Sequence, residues 1–242
     1  MKFTSDELEY VMGQRFSSSL PLSFEREPED YDYRTRYELL INFVRGKQVI
    51  HIGCVGHGNV GTLHGHLVES AARCFGVDVD EAGIHHMRNK WGYEDVAAVD
   101  LSEETHSELM EQQWDYVLLP EVLEHIGNPV RFLEKIRDSI GDRVGQFVIT
   151  VPNAFSLEKI LLAHRGIESI NTDHRFWFTP YTLAKVAQDA GLVPIKFIMC
   201  ADRINESWLN PKALLRDVWL KRCPLLRKRI IMFFKVRSKV TR

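Results

Sequence analysis

Apolar positions along the chain alternate between short β-branched runs and longer stretches with helical spacing. Tyr33, Tyr37, Leu40, Ile41 and Val44 recur at three- and four-residue intervals, which predicts a helix over 31–44 that Gly46 stops. The run Gln48 to Ile52 predicts a buried strand. The same alternation continues, with helices predicted over 62–72, 81–90, 103–112 and 129–139 and strands over 74–77, 96–99, 116–119 and 147–151. Five strands separated by helices predict a parallel sheet with helices on both faces. In such sheets ligands bind at the carboxyl ends of the strands, where strand order reverses.

The rhythm loosens at both ends. Residues 1–30 are polar without sustained periodicity, and Glu25, Glu27, Glu29 and Asp30 surround Pro28. Residues 1–36 are accordingly read as an arm or lid, and 37–242 as one domain. Beyond Pro152 a polar and aromatic connection fills 153–178. A helix is predicted over 180–190, closed by Gly191, and a strand over 193–199. About 28 residues containing Trp208, Trp219 and Pro224 precede a last strand at 230–236, and the two closing strands are expected to form an antiparallel edge. The segments near 153–178 and 201–228 are candidates for a substrate roof.

Candidate chemistry begins where the first strand ends. Val49-Ile50-His51-Ile52-Gly53-Cys54-Val55-Gly56-His57-Gly58 turns from an apolar run into closely spaced glycines. Such a loop lets backbone N–H groups approach a ligand without side-chain obstruction. About 20 residues on, Gly76-Val77-Asp78-Val79-Asp80 ends a second strand in carboxylates, where a dinucleotide-type fold places its ribose-binding acid. Together these features predict a nucleotide-like cofactor.

Composition narrows the function. The chain has 242 residues, 45% hydrophobic content and four cysteines without a CxxC pair, which fits a cytoplasmic protein in a reducing compartment. No signal-peptide core or membrane-length apolar run is present. The net charge of −2 is unevenly spread: from Pro211 onward eleven Lys or Arg face Asp217 alone. This basic stretch, interleaved with Trp219, Leu220, Leu225 and Leu226, reads as a solvated surface or as a peripheral contact with an anionic membrane. The acidic remainder argues against nucleic acid as a partner. The ten histidines show no zinc spacing with cysteine, and no metal is expected.

Taken in order, these pieces resemble the class I S-adenosylmethionine-dependent methyltransferases, particularly the branch containing ubiquinone and natural-product O-methyltransferases. The matching segments are Val49 to Gly58, Gly76 to Asp80, Val99-Asp100-Leu101, Trp114 to His125, Val151-Pro152-Asn153 and His174 to Pro180. The resemblance implies a Rossmann-like, seven-stranded doubly wound sheet, mostly parallel with an antiparallel last strand. It implies that Gly53, Cys54 and Gly56 pass under the methionine portion of the cofactor and that Asp78 accepts from the ribose hydroxyls. Val79 would pack on adenine, Asp100 would read its amino group beside Leu101, and Glu121 would face the sulfonium. The product would be S-adenosylhomocysteine. The implied acceptor is a small molecule, with a hydroxyl of a sugar, isoprenoid or polyketide-like compound favoured.

This chain departs from the family pattern at two points. His51 stands where an acid is usual, and the glycine loop runs Gly53-Cys-Val-Gly56-His-Gly58 instead of Gly-x-Gly-x-Gly. Losing the acid weakens attraction for the cofactor's ammonium, and His51 is read as a neutral, internally bonded histidine. His125, one turn after Glu121, and His174, in the connection over the cofactor, are the candidate bases for removing a hydroxyl proton. Phe155, His164, Phe176, Trp177 and Trp208 are candidates for lining the roof. Two other readings stand beside this one. The first is a catalytically silent relative. The second is a nicotinamide oxidoreductase, because Gly56 to Gly61 matches GxGxxG, although too far from the strand end.

Overall fold

The computed structural model describes residues 1–13, 23–26, 35–56, 61–201 and 211–237. Seven strands form one sheet: β1 (Gln48–Ile52), β2 (Arg73–Asp78), β3 (Val96–Ala98), β4 (Trp114–Pro120), β5 (Val144–Pro152), β6 (Leu192–Cys200) and β7 (Arg229–Val236). Their order is β3-β2-β1-β4-β5-β7-β6. The first five are parallel, and β7 lies antiparallel between β5 and β6. The chain runs outward from β1 through β2 to β3, then returns to β4 on the other side of β1, so order reverses there.

Nine helices are described: α1 (Ser5–Val11), α2 (Arg36–Val44), α3 (Thr62–Ser70), α4 (Glu81–Trp91), α5 (Ser107–Glu111), α6 (Pro129–Ile140), α7 (Leu157–His164), α8 (Pro180–Asp189) and α9 (Pro211–Arg222). Alternation along each strand divides the core. Ile50 and Ile52, with Val117, Leu119, Phe147 and Ile149, pack into one cluster with α6 and α8 residues such as Leu133 and Leu183. Val49, Leu118 and Val148 point the other way, onto Leu39, Leu40 and Val44 of α2 and Leu63 and Leu67 of α3. Both faces are covered, which is why these strands read as nearly continuous apolar runs.

Capping chemistry fixes where α2 begins. The Thr35 hydroxyl accepts from the Glu38 N–H at 3.3 Å, and the Glu38 carboxylate accepts from the Thr35 N–H at 2.8 Å. Arg36 is thereby held at the first turn. The predicted helix began earlier, but residues 31–34 lie outside the described residues.

The sequence reading gave no bounds for α1, α7, α9 or the short 3₁₀ turns at Leu123–His125, Gly141–Arg143 and Pro224–Leu226. α1 carries its own capping box, Thr4 with Glu7, in a segment read only as polar. It belongs to a strap in which the Met1 ammonium donates to the Phe197 carbonyl at 2.5 Å and Phe3 and Phe24 pack on Phe197. α7 carries Leu157, Ile160 and Leu161 at helical spacing but buries none of its residues, leaving Ile160 and Leu161 exposed.

One member of the basic stretch is not at the surface. Arg227 is fully buried, donating from Nε to the Leu220 carbonyl at 3.0 Å and from Nη1 to the Met199 carbonyl at 2.8 Å. Its charge organises the turn into β7. Among the described residues no helix is long and apolar enough to cross a membrane.

Candidate active site

The ten cofactor and base candidates from sequence border one cleft of about 1460 Å³ at the carboxyl ends of β1 to β5, and of the roof candidates Trp177 borders it while Phe155, His164 and Phe176 lie outside its lining. The ten are Gly53, Cys54, Gly56, Asp78, Val79, Asp100, Leu101, Glu121, His125 and His174. The volume exceeds the usual 300 to 1,000 Å³ of a single-ligand pocket, leaving room for a nucleotide-sized cofactor and an acceptor together. Gly58 and the rest of 57–60, which complete both glycine patterns, lie outside the described residues, as does Trp208.

The turn after β1 is shaped by its neighbours. Gly53 has φ of +78°, and a Cβ there would sit 2.6 Å from Val122 Cγ2. Only glycine meets both conditions without strain. Gly56 also has positive φ, at +69°, but a Cβ there would meet nothing within 4 Å among the described residues, so the turn presents open backbone to the cleft. Asp78 ties this loop to β2: its Oδ2 accepts from the Val55 N–H at 2.9 Å, and its Oδ1 from the Asp80 N–H at 3.1 Å. Asp100 accepts at Oδ1 from Ser102 N–H at 2.9 Å and from Ser102 Oγ at 2.6 Å. Leu101 is buried beside it, whereas Val79 is 67% exposed, a large apolar side chain still without cover at the cleft rim.

Glu121 ends β4 with φ of 57°, the one non-glycine residue with positive φ among the described residues. Strain of this kind persists only when the surroundings over-determine it. Here they do. The Glu121 N–H donates to the Thr150 carbonyl at 2.9 Å, and Oε1 lies 3.2 Å from both Thr150 Oγ1 and Arg36 Nη1. Oε2 accepts from Arg229 Nε at 2.9 Å. The carboxylate expected to face a sulfonium is thus clamped between two guanidinium groups. Sequence reasoning missed both arginines.

The 3₁₀ turn after Glu121 carries Glu124 and His125. Glu124 is wholly buried, and neither carboxylate oxygen has a hydrogen-bond partner among the described residues. Burial, reinforced by the nearby Glu121 carboxylate, pushes its carboxyl up to about 8. His174 reaches the same point from the roof segment, with Nε2 3.9 Å from Glu124 Oε1 and its ring perpendicular to that of His125 at 4.6 Å between centroids. Arg175 holds it there, donating its N–H to the Glu124 carbonyl at 2.7 Å and its guanidinium to the His125 carbonyl.

Glu124, His125 and His174 each offer one ligand atom, and these atoms lie within 4.8 Å of one another. One carboxylate and two imidazoles suit a divalent cation with open positions. The sequence reading expected no metal, because it searched for zinc spacing with cysteine. The sequence signal that could have grouped these three is the acid adjacent to a histidine in the turn after β4.

A sheet that reverses order at β1, with a glycine turn there and carboxylates after β2 and β3, defines a Rossmann-like protein built for an adenosine-bearing cofactor. The family follows from the chain itself: a methyltransferase-domain model matches residues 26–196, and the chain belongs to that family. It is 28% identical over 144 residues to a probable S-adenosylmethionine-dependent methyltransferase of Mycolicibacterium smegmatis, covering 56% of this chain and 53% of that protein. It is 27% identical over 158 residues to the ubiquinone biosynthesis O-methyltransferase of Aeromonas salmonicida, covering 61% and 63% respectively. The matched segments therefore span roughly half to three fifths of these relatives. The fold also resembles magnesium protoporphyrin IX methyltransferase from Synechocystis, solved with bound S-adenosylhomocysteine. That likeness has a TM-score of 0.54 at 14% identity, covering 96% of this chain and 94% of that one.

Proposed function

We propose that the protein is an S-adenosylmethionine-dependent methyltransferase that transfers its methyl group to a hydroxyl oxygen of a small molecule of sugar, isoprenoid or polyketide type. The observation that carries this reading is the two-part cleft. One part holds the open glycine turn, Asp78 and Asp100. The other holds Glu124, His125 and His174, and Glu121 stands between them. In this reading the Gly53 to Gly56 turn underlies the methionine portion, Asp78 receives the ribose hydroxyls, and Asp100 and Leu101 bracket adenine with Val79 covering its face.

When bound, the cofactor supplies an electrophilic methyl on sulfur. The protein aligns the acceptor and excludes water. His174, or His125 beside it, would take the hydroxyl proton of the acceptor as it is methylated. The fixed pair Arg36 and Arg229 keeps Glu121 oriented. The cluster of one carboxylate and two imidazoles favours a second arrangement, in which Glu124, His125 and His174 would hold a divalent cation that would make the hydroxyl more acidic.

One experiment tests acceptor class and separates the two arrangements. Purified protein is incubated with methyl-labelled cofactor and with small-molecule, lipid, RNA and protein fractions, each with chelator and with Mg²⁺ or Mn²⁺. Label in the small-molecule or lipid fraction supports the reading, and label confined to RNA or protein overturns it. Turnover abolished by chelation and restored by metal selects the cation, whereas turnover indifferent to chelation selects the histidine base.

A further inference from the structure

Charge is unevenly spread around the cleft. Asp78, Asp80, Asp100 and Glu103 border the half assigned to the cofactor. The half beyond Glu121 is basic. There Arg36 and Arg229 face the single carboxylate of Glu121, which leaves one positive charge over, and Lys159, Arg175 and Lys228 border the same half. Its other acid, Glu124, is buried, with its carboxyl pushed up to about 8. A cleft wall of one sign concentrates its field on whatever enters.

The start of α7 stands at this basic wall. Its N-cap residue, Ser156, is only 3% exposed and borders the cleft, yet its hydroxyl caps no N–H and has no hydrogen-bond partner among the described residues. The first N–H groups of a helix have no partner within it, and here the N-cap side chain supplies none. An idle buried hydroxyl beside uncapped helix donors suits an anion. The fold brings two lysines to the same place. Lys159, in the first turn of α7, donates from Nζ to the Ser169 carbonyl and lies 5.0 Å from the centre of the Trp177 ring. Lys228 is drawn in by Asn153, whose backbone N–H donates to the Lys228 carbonyl at 2.9 Å and whose side chain donates to the Leu225 and Arg227 carbonyls at 2.8 and 2.7 Å. Glu158 Oε2 lies 4.0 Å from Lys228 Nζ, but both side chains are about half exposed, and such pairs contribute little.

We infer that the methyl acceptor carries an oxyanion, a phosphate ester or a carboxylate, which seats at the start of α7 against Ser156, Lys159 and Lys228. The inference rests on the methyltransferase reading above and narrows its acceptor. Among compounds of sugar, isoprenoid or polyketide type, those bearing a phosphate or acid group match the basic half, and wholly neutral ones leave its charges unanswered. Ionised oxygens held by ammonium groups and N–H donors form stronger hydrogen bonds than neutral ones. An anchored anion orients the acceptor while leaving His125 and His174 to meet its hydroxyl.

The test titrates the intact protein, saturated with S-adenosylhomocysteine, with inorganic phosphate and with acetate at constant ionic strength in a calorimeter. At least one should bind saturably. The double variant Lys159→Gln with Lys228→Gln should weaken that binding about tenfold and Ser156→Ala about threefold, as charged and neutral donors differ in strength. Affinity for S-adenosylhomocysteine should stay within about twofold in both. Lys90→Gln, on α4 outside the cleft lining, should leave anion binding unchanged. Ser156→Ala should also keep its urea midpoint, because the hydroxyl caps nothing. In the labelling assay the methylated product should be retained by an anion exchanger, and phosphatase treatment releases it if the group is a phosphate ester but not if it is a carboxylate. The inference is overturned by a neutral labelled product, by wild type that binds S-adenosylhomocysteine but neither anion, or by anion binding that survives in either lysine or serine variant. S-Adenosylhomocysteine failing to bind the wild type would instead sink the methyltransferase reading, a result distinct from a cofactor-bound protein that takes no anion.

Discussion

Replacing Glu124 with glutamine should stabilise the cofactor-free protein, by an amount that grows with pH. The wild-type carboxyl is wholly buried, with neither oxygen hydrogen-bonded among the described residues, and its pKa is raised from 4.5 in an exposed chain to about 8. Because the folded state holds the proton more tightly, Glu124 does no harm below pH 4.5. Stability is then lost progressively as pH rises from there through about 8. At 1.36 kcal/mol per unit, the loss is about 1 kcal/mol at pH 5, about 3 at pH 7 and about 4 at pH 8. Glutamine does not titrate. Its buried amide carries a cost of its own, but that cost is the same at every pH and cancels in a comparison. The gap between variant and wild type should therefore widen by about 3 kcal/mol between pH 5 and pH 8, read by urea denaturation at each pH with chelator present. A gap a third as wide would still shift the thermal midpoint by about 2 to 4 °C in a chain of this size. A pH-independent gap, or one that widens toward acid, would refute the argument. The same variant is expected to lose turnover, since a group kept against stability at a cleft is kept for chemistry.

Asp78→Ala should abolish micromolar cofactor binding, about 8 kcal/mol of free energy, in calorimetric titrations with S-adenosylmethionine and S-adenosylhomocysteine. Binding within threefold of wild type would remove Asp78 from the cofactor site. Gly53→Ala should destabilise the fold by about 1 to 3 kcal/mol, from backbone strain at positive φ together with the Val122 contact. Urea midpoints measure this, and an unchanged midpoint contradicts the stated geometry. His174→Gln or His125→Gln should lower kcat by about 10² to 10⁴ if that residue is the base, with cofactor affinity preserved; unchanged turnover in both would eliminate a histidine base. For the membrane reading, neutralising Lys221, Arg222 and Lys228 together should weaken binding to anionic vesicles by about 1 kcal/mol per charge. Arg227 must be left in place, because its buried guanidinium holds two backbone carbonyls.

What the sequence made legible was local. The β1 run, its glycines, Asp78 and Asp100 each announce themselves within ten residues, because a buried strand needs apolar continuity and its end needs small or acidic residues to meet a nucleotide. α7 and α1 stayed hidden because eight and seven residues offer too few turns for a sustained period, although the Leu157, Ile160 and Leu161 spacing and the Thr4 and Glu7 cap were readable. The clamp on Glu121 was unreadable for another reason. Its parts come from residues 36, 121, 150 and 229, and they meet only through the topology. β7 runs antiparallel to β5, so its first residue, Arg229, pairs with Pro152, the last residue of β5. Had β7 been parallel, Arg229 would have stood at the opposite end of the sheet, some 20 Å or more from Glu121 at about 3.3 Å per residue. The reversal of one strand therefore converts Arg229, a member of a basic stretch that read as surface, into part of the clamp on Glu121, while the burial of Arg227 two residues earlier secures the turn that brings it there.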